Sequence, residues 1–121
     1  MNSAGLFPGE IVLIPYAPFT NYLATKPRPC LVISGLQFNQ SGPDIILVPI
    51  SSNVRYEDPK QIVIESGDPS FLDTGLKQRS AIKCGAIFAY SKTQVRRKLG
   101  FVEKPVLDQV RKKVIDILTI D

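Results

Sequence analysis

Apolar residues fall in short runs separated by turn-rich segments, the pattern of small β structure rather than of long helices. Ile11–Pro15 follows Pro8-Gly9 and is rich in Ile and Val. Cys30–Ser34 follows two prolines, and Ile45–Ile50 (IILVPI) follows Ser41-Gly42-Pro43-Asp44. Gln61–Glu65 (QIVIE) alternates polar and apolar, so one of its faces is expected to be wet. Ser80–Cys84 and Ile87–Tyr90 complete the set. Pro49, inside the third run, predicts a strand end or edge there, because proline has no N–H for the ladder.

The period changes toward the C-terminus. From Pro105 onward, Leu107, Val110, Val114, Ile117 and Leu118 share one helical face, read as core packing. Pro105 suits a first helical turn, and Asp108 and Lys112 stand at i,i+4 for an ion pair. A second helical turn is predicted over Ser91–Leu99, with Ser91 as cap and Gly100 as stop. Short strands followed by a helix, with short connections, predict a mainly β fold: a small antiparallel barrel with the C-terminal helix packed on it. Residues 1–121 are expected to form one domain.

Composition narrows the chemistry. Charged residues make up 21% of the chain, and histidine is absent. That removes imidazole acid–base chemistry and the commonest metal ligand. Cys30 and Cys84 are far apart and are read as reduced, partly buried thiols; Cys30 has no histidine to act as its base. Asp58, Glu65, Asp68 and Asp73 lack metal-site or glycosidase spacing, and there is no P-loop or GxGxxG, so no metal or cofactor is expected. No apolar run reaches a membrane span, and Met1–Leu6 lacks signal-peptide character, so a cytoplasmic protein is expected. The net charge of +4 points to an anionic partner.

Three stretches hold candidate chemistry. In Lys26-Pro27-Arg28-Pro29 the prolines restrict the backbone on both sides of Arg28. A guanidinium held that way suits bidentate phosphate binding; the plainer alternative is a solvated arginine in a turn. Pro49-Ile50-Ser51-Ser52-Asn53 ends the third run with hydroxyls and an amide, groups that bind phosphate or sugar and also build ordinary turns. Lys77-Gln78-Arg79 precedes the fifth run and Lys83 lies within it. Arg96-Arg97-Lys98 and Arg111-Lys112-Lys113 are expected on exposed helix faces as solvated charge.

Taken in order, Phe7-Pro8-Gly9-Glu10-Ile11-Val12-Leu13, Phe19-Thr20, the segment Lys26 to Ser34, Val48 to Asn53, Thr74-Gly75-Leu76-Lys77, Ser80 to Lys83 and Lys98-Leu99-Gly100 resemble the PemK/MazF family of toxin endoribonucleases of toxin–antitoxin modules. The resemblance implies an SH3-like barrel and a homodimer. It also implies metal-independent cleavage of single-stranded RNA at short motifs, in a groove made by both subunits, where a cognate antitoxin's disordered tail also binds. Arg28 and Ser51 match the family's active arginine and its Thr or Ser at the end of the third strand. With them, Lys26, Ser52, Asn53, Arg79 and Lys83 are expected to contact RNA, and the loop Asn21–Lys26 to act as a lid. The implied reaction is attack of a 2′-OH on its own 3′-phosphate, leaving a 2′,3′-cyclic phosphate. The sequence departs from the family at Tyr22-Leu23-Ala24, where some members carry a carboxylate, and at Gly85-Ala86, where many carry an acid or amide. The general base is therefore unassigned. The competing functions are a non-catalytic SH3-like module that grips RNA or an acidic peptide, and an assembly protein using the apolar helix face.

Overall fold

The computed structural model describes residues 5–15 and 26–121. Phe19-Thr20, Tyr22-Leu23-Ala24 and all of the expected lid except Lys26 lie outside the described residues. The described chain forms β1 (Glu10–Ile14), β2 (Arg28–Val32), a short helix α1 (Leu36–Ser41), β3 (Asp44–Ser51) and β4 (Gln61–Ile64). A 3-10 turn (Phe71–Thr74), β5 (Ser80–Lys83), β6 (Phe88–Ser91), a second 3-10 turn (Lys92–Gln94), β7 (Arg97–Phe101) and α2 (Lys104–Thr119) follow. Every strand pairing is antiparallel, and the sheet runs β4-β5-β3-β2-β1-β7, with β6 also paired to β3.

β3 is the strand that curls this sheet into an SH3-like half-barrel. One edge pairs with β2; the other pairs with β6 over Asp44–Leu47 and with β5 at Ile50 and Ser51. Pro49 falls at the changeover, where the ladder on that edge is already interrupted, so the missing N–H is tolerated. The strand neither ends at Pro49 nor lies at an edge there, contrary to the sequence expectation.

β1, β2 and β3 are apolar at almost every position because both of their faces are covered. Ile11, Leu31, Val48 and Ile50 belong to a core under α2. Val12, Ile14, Cys30, Val32, Ile45 and Leu47 belong to a second core, closed by Leu6 and Val95. Helix α2 starts with Pro105 in its first turn and buries Leu107, Val110 and Val114. Each such side chain contributes about 1.5–3 kcal/mol of burial free energy. Leu118, expected on this face, is 68% exposed, since the helix runs past the edge of the core. The expected Asp108–Lys112 pair is replaced by Lys104–Asp108 at 3.0 Å and Lys112–Asp116 at 3.2 Å. Arg111 is not simply solvated: its Nε donates to Ile33 O at 3.0 Å and ties the helix to the end of β2.

The predicted helix over Ser91–Leu99 is a correction. Only Lys92–Gln94 turns; Ser91 makes no capping bond, Val95 enters the second core, and the chain then extends as β7. β7 pairs with β1, and Lys98 reaches Glu10 across that pairing at 3.0 Å. An open strand edge and a buried Val95 override a local helix preference. The Phe71–Thr74 turn packs against the same strand. A Cβ at Gly100 would overlap the backbone of Asp73 and Thr74, and one at Gly75 (φ 70°) would overlap the backbone of Leu99. Both glycines permit a backbone-to-backbone approach that brings Lys77 and Arg97 to the same end of the sheet.

Candidate functional site

Alternation of strand direction gathers five strand ends: the C-termini of β1 and β3 and the N-termini of β2, β5 and β7. They surround an open cleft of about 760 Å³. Arg28 begins β2 and pairs with Ile14 of β1. Pro29 behind it biases Arg28 to extended backbone, which strand pairing then uses. Ser51 ends β3. The β2–β3 register pairs Cys30 with Pro49, and continuing it by two residues sets Arg28 across from Ser51. Two segments about twenty residues apart in sequence thus deliver a guanidinium and a hydroxyl to one cleft.

The electrostatics of the lining have one sign. Lys26, Arg28, Lys77, Lys83 and Arg97 line it, and among the described residues no Asp or Glu does. Arg28 is half-buried, and its Nε is shielded from solvent with no hydrogen-bond partner among the described residues. An unsatisfied buried donor costs about 1–3 kcal/mol, a cost that an anionic ligand drawn to the guanidinium would offset. Ser51 Oγ accepts from Asn53 N at 3.1 Å, which leaves its own O–H to donate outward. Pro29, Pro49, Ile50 and Leu76 add apolar walls that lower the local dielectric.

Of the residues expected at the site, Lys26, Arg28, Ser51, Ser52 and Lys83 line the cleft. Asn53 and Arg79 do not. Asn53 contributes the backbone N–H that fixes Ser51, and Arg79 Nη1 donates to Tyr56 Oη at 2.7 Å outside the lining. The structure adds Lys77, Gln78, Ser80 and Arg97. Lys77 was visible as part of a basic cluster. Arg97 was hidden by the helix assigned to its segment. Ala86, one of the two residues at which the sequence was read as departing from the family it resembles, also lines the cleft.

The cysteine next to this site is inert. Cys30 is fully buried, and burial pushes its thiol up to about 12. It stays protonated and is no nucleophile at neutral pH. Among the described residues no group of three or more His, Cys, Asp or Glu could hold a metal ion, and no helix is long and apolar enough to cross a membrane. The arrangement can bind a polyanion and place a fixed guanidinium against charge developing at phosphorus.

The family model for PemK-like, MazF-like toxins of type II toxin–antitoxin systems matches residues 7–118. No curated protein matches. Among solved structures, a MazE–MazF complex from Deinococcus radiodurans has a TM-score of 0.74 at 20% identity, covering 96% of this chain and 98% of that one. An endoribonuclease bound to its cognate antitoxin, from a mycobacterial species, has a TM-score of 0.72 at 15% identity, covering 97% and 98%. The Mycobacterium tuberculosis toxin MazF-mt6 has a TM-score of 0.70 at 15% identity, covering 93% and 98%. At these identities the likeness is one of fold.

Proposed function

The chain belongs to the family of PemK-like, MazF-like toxins of type II toxin–antitoxin systems, and on that premise we propose that it is a metal-independent endoribonuclease that cuts single-stranded RNA at a short sequence motif. The observation that carries this reading is a cleft with five cationic side chains and, among the described residues, no acid, in which Arg28 stands across from Ser51.

In the proposed reaction a ribose 2′ oxygen forms a bond to its own 3′ phosphorus and the bond to the 5′ oxygen breaks. The 2′ proton leaves to solvent, and the 5′ oxygen takes up a proton. The products are a 2′,3′-cyclic phosphate and a 5′-OH. Arg28 meets the charge that grows on the non-bridging oxygens, and Ser51 O–H donates to one of them. Lys26, Lys77, Lys83 and Arg97 hold the flanking phosphates. A guanidinium offers hydrogen-bond donors and no acceptor, so the role of Arg28 is electrostatic. The cleft's charge also suits an acidic antitoxin segment, which would compete with RNA for it. By the same family reading the working unit is a homodimer in the cytoplasm.

The test is incubation of a long defined RNA with the protein in EDTA, followed by mapping of the new ends. Cyclic-phosphate ends at one repeated motif, lost in Arg28→Ala, are the expected result. One observation favours the second reading, binding without turnover: neither carboxylate nor imidazole lines the cleft among the described residues. RNA that binds tightly yet stays intact after long incubation would decide for it.

A further inference from the structure

We propose that the rim of this cleft carries a nucleobase-stacking subsite built on Tyr56 and framed by Arg79 and Glu65; the proposal rests on the reading of the cleft as an RNA site. Tyr56 lies in the β3–β4 connection and is 58% exposed. Its hydroxyl is used twice, accepting from Arg79 Nη1 at 2.7 Å and donating to Glu65 Oε2 at 3.0 Å. The Arg79 guanidinium carbon stands 5.5 Å from the ring centroid. The loop beneath is pinned as well: Arg55 N donates to Gln61 Oε1 at 3.1 Å, Asp58 N to Arg55 O at 3.0 Å, and Lys60 N to Asp58 Oδ1 at 2.9 Å. The ring is thus oriented before any ligand arrives, and little ordering entropy remains to be lost on binding.

The placement ties this ring to the cleft. Gln78 and Ser80, the neighbours of Arg79, both line it, and so does Ser52, at the start of the Tyr56 loop. Ile64 pairs with Ser80, so Glu65 emerges at the same rim. Ser51 pairs with Ala81, and Arg79 stands two residues before Ala81, about 7 Å along the strand direction. That is within reach of the nucleotide beside a phosphate held at Ser51.

The chemistry selects a base rather than a phosphate. Glu65 offsets the Arg79 charge, which makes the cluster a poor anion site beside a strongly cationic one. The hydroxyl is already committed, so the ring face is what Tyr56 offers. Aromatic faces beside a basic groove are how single-stranded nucleic acids are gripped without strict base readout, and a neighbouring guanidinium reinforces the stack.

Binding is measured to a short single-stranded RNA made uncleavable by 2′-O-methyl groups, and to the same RNA with a single abasic residue moved along it. Tyr56→Ala is expected to weaken binding of intact RNA roughly 5- to 150-fold, the range of one base–aromatic stack. One abasic position should weaken wild-type binding by a comparable factor and add nothing to Tyr56→Ala. Melting curves check the fold. If Tyr56→Ala does not fold, Tyr56→Phe should keep the abasic sensitivity at that position and Tyr56→Leu should lose it. Wild-type protein that binds RNA, with Tyr56 variants that show the same abasic losses at every position, overturns the subsite and leaves the cleft reading intact. Wild-type protein that binds no RNA overturns both.

Discussion

Arg28 combines a restricted backbone with a polar debt. It is fixed between Pro27 and Pro29, paired to Ile14, and carries a buried Nε without a partner among the described residues. Its replacement by alanine is expected to lower RNA cleavage about 10²- to 10³-fold, the cost of losing one preorganised donor. Arg28→Lys should recover little of that loss, because an ammonium lacks the planar fork; initial rates on one RNA measure both. Two residues along β2, Cys30 shows the opposite tuning. Burial raises its thiol to about 12, and burial raises Cys84 to about 11 against a lowering contribution from Lys113. Both folded values lie above the ordinary 9.0, so the folded state keeps protons that the unfolded state gives up. The associated stability is fully present below pH 9 and is lost as pH rises toward 11 and 12. Melting temperature should therefore fall along an alkaline limb, and Cys30→Ala should flatten that limb even if it lowers the neutral value. At neutral pH neither thiol should react with a disulfide reagent until denaturant is added.

Elements built from local signals were legible, and those built from distant partners were not. β1, β2 and β3 read directly because strands covered on both faces are apolar at nearly every step. α2 read from its 3.6-residue stripe and from Pro105. α1 was missed because a polar residue holds it. Fully buried Asn39 accepts from Ser34 Oγ and donates to Leu6 O at 2.9 Å, contacts that no periodicity announces. β7 was misread because only the open edge of β1 makes Arg97–Phe101 a strand. The glycines of the two motifs Thr74-Gly75 and Leu99-Gly100 were visible, but the contact between them was not. That contact carries a prediction. Gly100→Ala sets a methyl against backbone atoms of Asp73 and Thr74, which cannot rotate away, and should destabilise the protein by about 1–3 kcal/mol. Gly75→Ala adds a positive-φ penalty at φ 70°. Thermal melting measures both. Since Lys77 and Arg97 flank this contact, RNA affinity should drop with stability even where the variant stays folded.

At the scale of the whole molecule, the excess positive charge is the cleft. The chain has 15 Lys and Arg against 11 Asp and Glu. Five of the cations line the cleft, so the remaining surface carries ten bases against eleven acids and is close to neutral. The net charge in the composition carried the sign of the cleft, and Arg28 and Ser51 marked part of its lining. Lys77 and Arg97 joined the site only when β5 and β7 were set beside β2 and β3, which sequence spacing does not reveal. A charge excess confined to one hollow makes a quantitative demand on binding. If about four or five phosphates are neutralised there, log K for single-stranded RNA should fall with log salt at a slope of about −3, near −0.7 per contact. Lys77→Ala should reduce that slope by about 0.7 and weaken all RNA sequences alike. Lys104→Ala, which removes a cation already paired to Asp108 on an exposed turn of α2, should leave the slope unchanged. A slope that responded equally to both substitutions would place the RNA on the general surface, since only a localised site can tell Lys77 from Lys104.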